Sequence, residues 1–129
     1  MLAHFSIGVR DLARTKRFYD AALAPLGYKC LAAGASSLGY GAEGAADGIM
    51  LWIMPAERPV PADPASGLHV CFAAPTRESV AAFHAAGLGA GGTDNGAPGL
   101  RLDYGPNYYA AFVVDPDGYR LEAYCGKAG

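Results

Sequence analysis

The sequence predicts an α+β fold made of two β-α-β-β-β modules whose sheets curl around a shared concave space. Two observations carry this. An alternating segment opened by a histidine and followed by a helix signal occurs twice, at His4 and at His69. Phe18 lies 14 residues after His4, and Phe83 lies 14 residues after His69. One such module, with a helix on only one face of its sheet, cannot close a core alone, so two must pack together. The expectation is a single domain, residues 1–129, with modules at about 1–56 and 67–125.

The elements follow in order. In His4-Phe-Ser-Ile-Gly-Val9, Phe5, Ile7 and Val9 share one face and His4, Ser6 and Gly8 the other. Asp11 is the N-cap of a helix whose inward side takes Leu12, Thr15, Tyr19, Ala22, Leu23 and Leu26. Strand signals follow at Leu38–Tyr40 and Ile49–Met54, and Pro55–Ser66 links the halves. In the second half Val70, Phe72 and Ala74 oppose His69, Cys71 and Ala73. Thr76 caps a helix with Val80, Phe83 and Ala86 inward. Gly27 and Gly87 stop the two helices or sit near their ends. Further strands are expected at Gly99–Tyr104, Tyr108–Val114 and Tyr119–Cys125, the last two joined by the turn Asp115-Pro-Asp-Gly118. Most of the 18 glycines and 9 prolines fall within 25–48, 55–67 and 87–106, which read as loops.

Composition narrows the function classes. The chain has 129 residues, 52% apolar and 17% charged, enough for a core and too few charges for a disordered polyelectrolyte. Ten basic residues against twelve acidic ones, scattered singly, provide no stripe for a nucleic-acid backbone. No run approaches the roughly 20 apolar residues of a membrane span, and no basic lead precedes an apolar block at the N-terminus. The expectation is a small cytoplasmic domain without nucleic-acid or membrane partners. Three cysteines, Cys30, Cys71 and Cys125, lack metal-site spacing and read as apolar fillers.

Two imidazoles and a carboxylate carry the chemistry. His4 and His69 occupy equivalent repeat positions on the face opposite the bulky apolar residues. In Tyr119-Arg-Leu-Glu-Ala-Tyr-Cys125, alternation places Arg120, Glu122 and Tyr124 on that same side. His4, His69 and Glu122 thus form a 2-His-1-carboxylate set, which holds a divalent metal and leaves positions open to substrate. Zinc, nickel, manganese and iron all suit these ligands. Arg120, Tyr104, Asn107 and Tyr108 are candidate polar or aromatic walls of the pocket. His84, on a helix, reads as an ordinary helical residue.

These residues resemble the vicinal oxygen chelate superfamily, which contains glyoxalases, bleomycin resistance proteins and extradiol dioxygenases. The likeness rests on His4-Phe-Ser-Ile-Gly-Val-Arg-Asp-Leu12, Arg17-Phe-Tyr-Asp20, His69-Val-Cys-Phe72 and, most specifically, Asp115-Pro-Asp-Gly-Tyr-Arg-Leu-Glu122. It implies a cupped sheet around a divalent ion held by His4, His69 and Glu122, with Glu122 the catalytic carboxylate and a small oxygenated molecule as substrate. It also implies a homodimer. One position departs from glyoxalase I: aligning Gly48 with Gly118 puts Trp52, a pocket residue that cannot ligate, where Glu122 stands in the second half. The resemblance therefore implies a three-ligand, glyoxalase-like lyase, isomerase or transferase. Its alternatives are a metal-free binder of the bleomycin type and an iron-dependent extradiol dioxygenase.

Overall fold

The structure is a computed structural model that describes residues 2–44, 48–59 and 63–129. The elements run β1 (Phe5–Val9), α1 (Leu12–Leu23), β2 (Tyr28–Ala33), β3 (Leu38–Ala42), β4 (Ile49–Pro55), β5 (Val70–Ala73), α2 (Arg77–Gly89), β6 (Thr93–Leu100), β7 (Tyr109–Val114) and β8 (Arg120–Cys125), with short 3-10 turns after α1 and before β5. They form two four-stranded mixed sheets of the same order, β1-β4-β3-β2 and β5-β8-β7-β6, in which β1 pairs parallel with β4 and β5 parallel with β8. The duplicated β-α-β-β-β plan is present in both halves.

Local chemistry accounts for the helices. Asp11, in extended backbone, accepts from the Arg14 amide and starts α1. Thr76 and Ser79 form a reciprocal capping box that starts α2. The inward face of α1 is Thr15, Phe18, Tyr19, Ala22 and Leu23, all fully buried, with Leu12 only partly so. Val80 and Phe83 are the buried anchors of α2. Together with Val9, Ile53, Phe72, Val113 and Leu121 they make one core that both sheets share.

Two sequence expectations need correction. Tyr28–Ala33 lies in the glycine-rich 25–48 stretch, yet it is β2, with alternating half-buried residues along the sheet edge. The strand expected at Gly99–Tyr104 lies earlier, at Thr93–Leu100, and residues beyond it turn back, the Arg101 amide donating to the Tyr108 carbonyl. Leu100, Leu102 and Tyr104, alternating with Gly99, Arg101 and Asp103, imitate a strand, whereas β6 is an edge strand read only through its ladder to β7. Gly87 sits near the end of α2, as expected, buried where a Cβ would come 3.3 Å from Val113, so the glycine permits close helix–sheet packing. Gly27 does end its element, at φ 88 after the 3-10 turn. Of the Pro55–Ser66 link, residues 60–62 lie outside the described residues, as do 45–47 of the preceding glycine-rich stretch.

The halves are joined by a buried polar clasp. Asp115 and Asp117 of the β7–β8 turn reach α1: Tyr19 Oη donates to Asp115 Oδ2 at 2.6 Å, and Arg14 Nη2 and Thr15 Oγ1 donate to Asp117 at 3.0 and 3.2 Å. The Arg10 amide also donates to Asp117, and Tyr119 Oη donates to the Gly8 carbonyl of β1. Tyr28 Oη, donating to the Ala73 carbonyl, adds a second link between the sheets. These bonds tie the two halves together, and a cavity lies between residues of β1 and β5.

Candidate metal and ligand site

The parallel ladders decide which side chains converge. Val70 pairs with Leu121 and Cys71 with Glu122, so Cys71 and Glu122 point to the same side of the second sheet. His69 immediately precedes β5 and bends toward the same place, with Nε2 2.8 Å from Glu122 Oε1. Tyr108, just ahead of β7, donates its hydroxyl to Glu122 Oε2 at 2.6 Å. Glu122 is thus a buried carboxylate, 3% exposed, with one oxygen toward an imidazole and the other toward a phenol. The His69 side chain is 38% exposed and opens to solvent.

The surroundings are apolar and aromatic. Phe112, the antiparallel partner of Glu122, lies with its ring 6.1 Å from the His69 ring. Tyr108 stacks on Tyr124 at 4.1 Å and meets Tyr104 edge-on at 5.3 Å. Burial and the Glu122 bond push the Tyr108 phenol well above its ordinary value, so it stays protonated as a donor. Burial first, and the Glu122 carboxylate second, push the Cys71 thiol up to about 12. Such a thiol is not a thiolate nucleophile at neutral pH, yet Cys71 is exposed and lines the smaller cavity, so it is not the core filler that the sequence suggested.

Two cavities flank the seam between the sheets. One, of about 290 Å³, is lined by His4, Phe5, Met50, His69 and Cys71. The other, of about 370 Å³, is lined by Ser6, Gly8, Leu68, His69 and Arg120, and His69 stands at the wall of both.

Of the residues singled out from sequence, His69, Glu122 and Tyr108 come together directly. His4 lies ahead of β1, exposed, and shares the smaller cavity with His69. Among the described residues no group of three or more His, Cys, Asp and Glu side chains lies close enough to hold an ion, so His4 does not complete the set in this arrangement of the chain. Arg120 lines the larger cavity, whereas Tyr104 and Asn107 are exposed on the β6–β7 turn. Trp52 pairs with Ser6 across β1 and β4, as Glu122 pairs with Cys71, which confirms that the indole occupies the carboxylate's position in the first module. His84 is tied to Asp94 at 2.8 Å, away from this site. Tyr124 falls on the face that alternation assigned to it beside Glu122, whereas Phe112, the hairpin partner of Glu122, carries no sequence signal of its own until the β7–β8 register is known. The three cysteines are free.

The donor chemistry fits a divalent ion. Ligands about 2.0–2.2 Å from one ion, at right angles, stand about 3 Å apart, close to the His69–Glu122 separation of 2.8 Å. Ligating carboxylates are also held by outer hydrogen bonds, as Tyr108 holds this one.

With this geometry established, comparisons place the chain. A profile of the Glyoxalase/Bleomycin resistance protein/Dioxygenase superfamily matches residues 1–123, and the chain belongs to that superfamily. A crystal structure of a glyoxalase/bleomycin resistance protein from Albidiferax ferrireducens T118 is 34% identical, with 94% of each chain covered and a TM-score of 0.77. The fold is also that of a genomically encoded fosfomycin resistance protein from Listeria monocytogenes, 16% identical over 98% of this chain and 93% of that one, TM-score 0.71. A bleomycin resistance determinant encoded on the transposon Tn5 is 20% identical over 95% of each chain, TM-score 0.61. A comparison with curated protein sequences returns no match. No helix among the described residues is long and apolar enough to cross a membrane.

Proposed function

We propose that the chain is a glyoxalase-like enzyme, dependent on a divalent metal, that acts as a lyase, isomerase or transferase on a small oxygenated substrate. The observation that supports this reading best is the His69–Glu122 pair, 2.8 Å apart beside a cavity whose other wall carries His4. In this reading His69 and Glu122 hold the ion, and His4, from the same chain or from a second copy in a cytoplasmic homodimer, is the third donor. The ion, when bound, acts as a Lewis acid on neighbouring substrate oxygens.

The chain's own residues do the rest. Tyr108 holds Glu122 Oε2 and so keeps Oε1 facing His69. Glu122 is the catalytic carboxylate in this reading, buried behind His69, the residue that lines the cavity. Phe112 and Tyr124 narrow the access of water to it. Trp52 gives the first module an apolar wall in place of a fourth ligand.

Metal analysis of protein purified without chelator tests this. The expected result is one divalent ion per chain, with affinity falling at least about 10-fold to 100-fold in each of His4→Ala, His69→Ala and Glu122→Ala. Retention of metal by all three variants, or no binding by the parent, defeats the proposal. One observation favours a second reading, a metal-free small-molecule binder: both Glu122 oxygens are already hydrogen-bonded within the chain. That reading expects drug-like ligands to bind equally well in the presence and absence of chelator. The dioxygenase reading has less support, since His84, paired with Asp94, is not available as the extra acid–base group. Oxygen uptake with catechols and ferrous iron tests it.

A further inference from the structure

We propose that the larger cavity seats a hydrocarbon arm of the same small molecule whose oxygens face His69. The inference rests on the ligand site proposed above and adds the chemical class of its substrate, an amphipathic molecule with an oxygenated head and an apolar tail.

The two cavities share Phe5, His69 and Val70, so a molecule at the imidazole extends from one into the other. Leu68 lines only the larger, and the chain ahead of it is a built turn. Asp63 Oδ1 accepts from the Ala65 amide at 2.9 Å and caps the 3-10 turn Pro64–Ser66. Gly67 ends that turn at φ 75, where a side chain would be strained. Ser66 Oγ then accepts from the Leu68 amide at 3.2 Å. Leu68 is 58% exposed. A single exposed leucine is ordinary, but this one is fixed on a concave wall whose other apolar members, Phe5 and Val70, are themselves only half-buried.

Ser6 apart, the polar side chains of that wall are engaged within the chain. Tyr119 Oη donates to the Gly8 carbonyl at 2.6 Å, and His69 meets Glu122. Asp63 and Ser66 hold the turn, and Arg120 has an interaction of its own. A polar arm entering here competes with bonds already made. A hydrocarbon arm breaks none of them and takes Leu68, Phe5 and Val70 out of water, which is favourable in proportion to the apolar area covered. Each methylene so buried tightens binding about threefold to fourfold. The smaller cavity differs in carrying His4 and Cys71 beside His69, and it takes the oxygenated head. Each cavity alone, at about 290 and 370 Å³, is near the low end of the roughly 300–1,000 Å³ of small-molecule sites; a molecule with both parts uses the two together.

The test uses two probes with one oxygenated head and different tails. Acetohydroxamate and hexanohydroxamate are compared by titration calorimetry on zinc-treated and chelator-treated protein. The expected result is at least tenfold tighter binding of the six-carbon probe. Leu68→Asp should cut that ratio at least threefold while leaving the thermal midpoint and metal content unchanged, and Leu68→Met should keep it. Equal binding of the two probes, binding of neither, or a ratio that survives Leu68→Asp overturns the inference. Failure of the metal reading looks different: zinc treatment changes no affinity, while the Leu68-dependent preference for the longer tail persists.

Discussion

Ser6 and Trp52 meet across β1 and β4, and Cys71 and Glu122 meet across β5 and β8, at equivalent points of two sheets with the same strand order. The antiparallel neighbour of Trp52 is Gly39, and that of Glu122 is Phe112. The large and small side chains have changed places. In the first sheet an indole covers a glycine, and a Cβ at Gly39 would lie 2.7 Å from Ile49 and 2.9 Å from Trp52. In the second a phenyl ring stands beside a carboxylate, and the space saved admits the hydroxyl of Tyr108 and the imidazole of His69. A duplicated backbone thus keeps its register while the two copies take different work. One packs an indole over a glycine, and the other carries the polar constellation.

Breaking the first sheet should cost most. At Gly41 a Cβ would fall on the Gly48 carbonyl oxygen, and neither backbone can yield without parting β3 from β4. Gly41→Ala is expected to destabilise by about 3 kcal/mol or more, read as a lower urea midpoint, while the His69–Glu122 site in the other sheet keeps its ligand affinity in the folded fraction. Next comes the clasp that aligns the modules. Asp117→Ala strips acceptors from the Arg10 amide, Arg14 and Thr15, for a loss of about 2–3 kcal/mol by denaturant unfolding. The volume exchange itself is tested by a double-mutant cycle. Gly39→Ala should cost about 1–2 kcal/mol, with part of that relieved in a Trp52→Ala background; strict additivity would show that the indole does not press on Gly39. On the second sheet, Tyr108→Phe removes one donor from Glu122, for about 1 kcal/mol of stability.

The smallest effect is a pH slope. Burial raises the Asp115 pKa above its ordinary value of 3.8, outweighing the opposing bonds from Tyr19 and two backbone amides. The folded chain therefore binds this proton more readily than the unfolded chain does. Stability from this group rises as pH falls through the raised folded pKa toward the unfolded one, and declines as pH climbs through the same interval. Unfolding free energy measured across mildly acidic pH should show that slope in the parent and lose it in Asp115→Asn. A parent and variant with parallel profiles would contradict it.

Much of this was legible in the residues. The two histidine-led segments, the caps Asp11 and Thr76, the Asp115–Gly118 turn and the superposition of Trp52 on Glu122 all follow from spacing and alternation, because those are local or periodic properties. Thr93–Leu100 was hidden, since an edge strand rich in glycine has no alternation of its own and exists through hydrogen bonds to Tyr109–Val114. Gly87 was placed near its helix end by spacing, but its reason for being glycine was hidden until the Val113 side chain that needs its space is known.

The sequence by itself determined that the chain is a repeat, which faces its strands present, and that imidazole and carboxylate groups fall in phase on one of them. Only the tertiary structure decided that His69 and Glu122 touch while His4 stays on the far wall, that Tyr108 takes the second carboxylate oxygen, and that Leu68 lines the larger cavity. The physical reason is distance along the chain. Periodicity reports the direction of a side chain within its own element, whereas separations of a few ångströms between elements depend on ladder register, on the Asp115–Asp117 clasp and on the volumes that neighbouring side chains leave free.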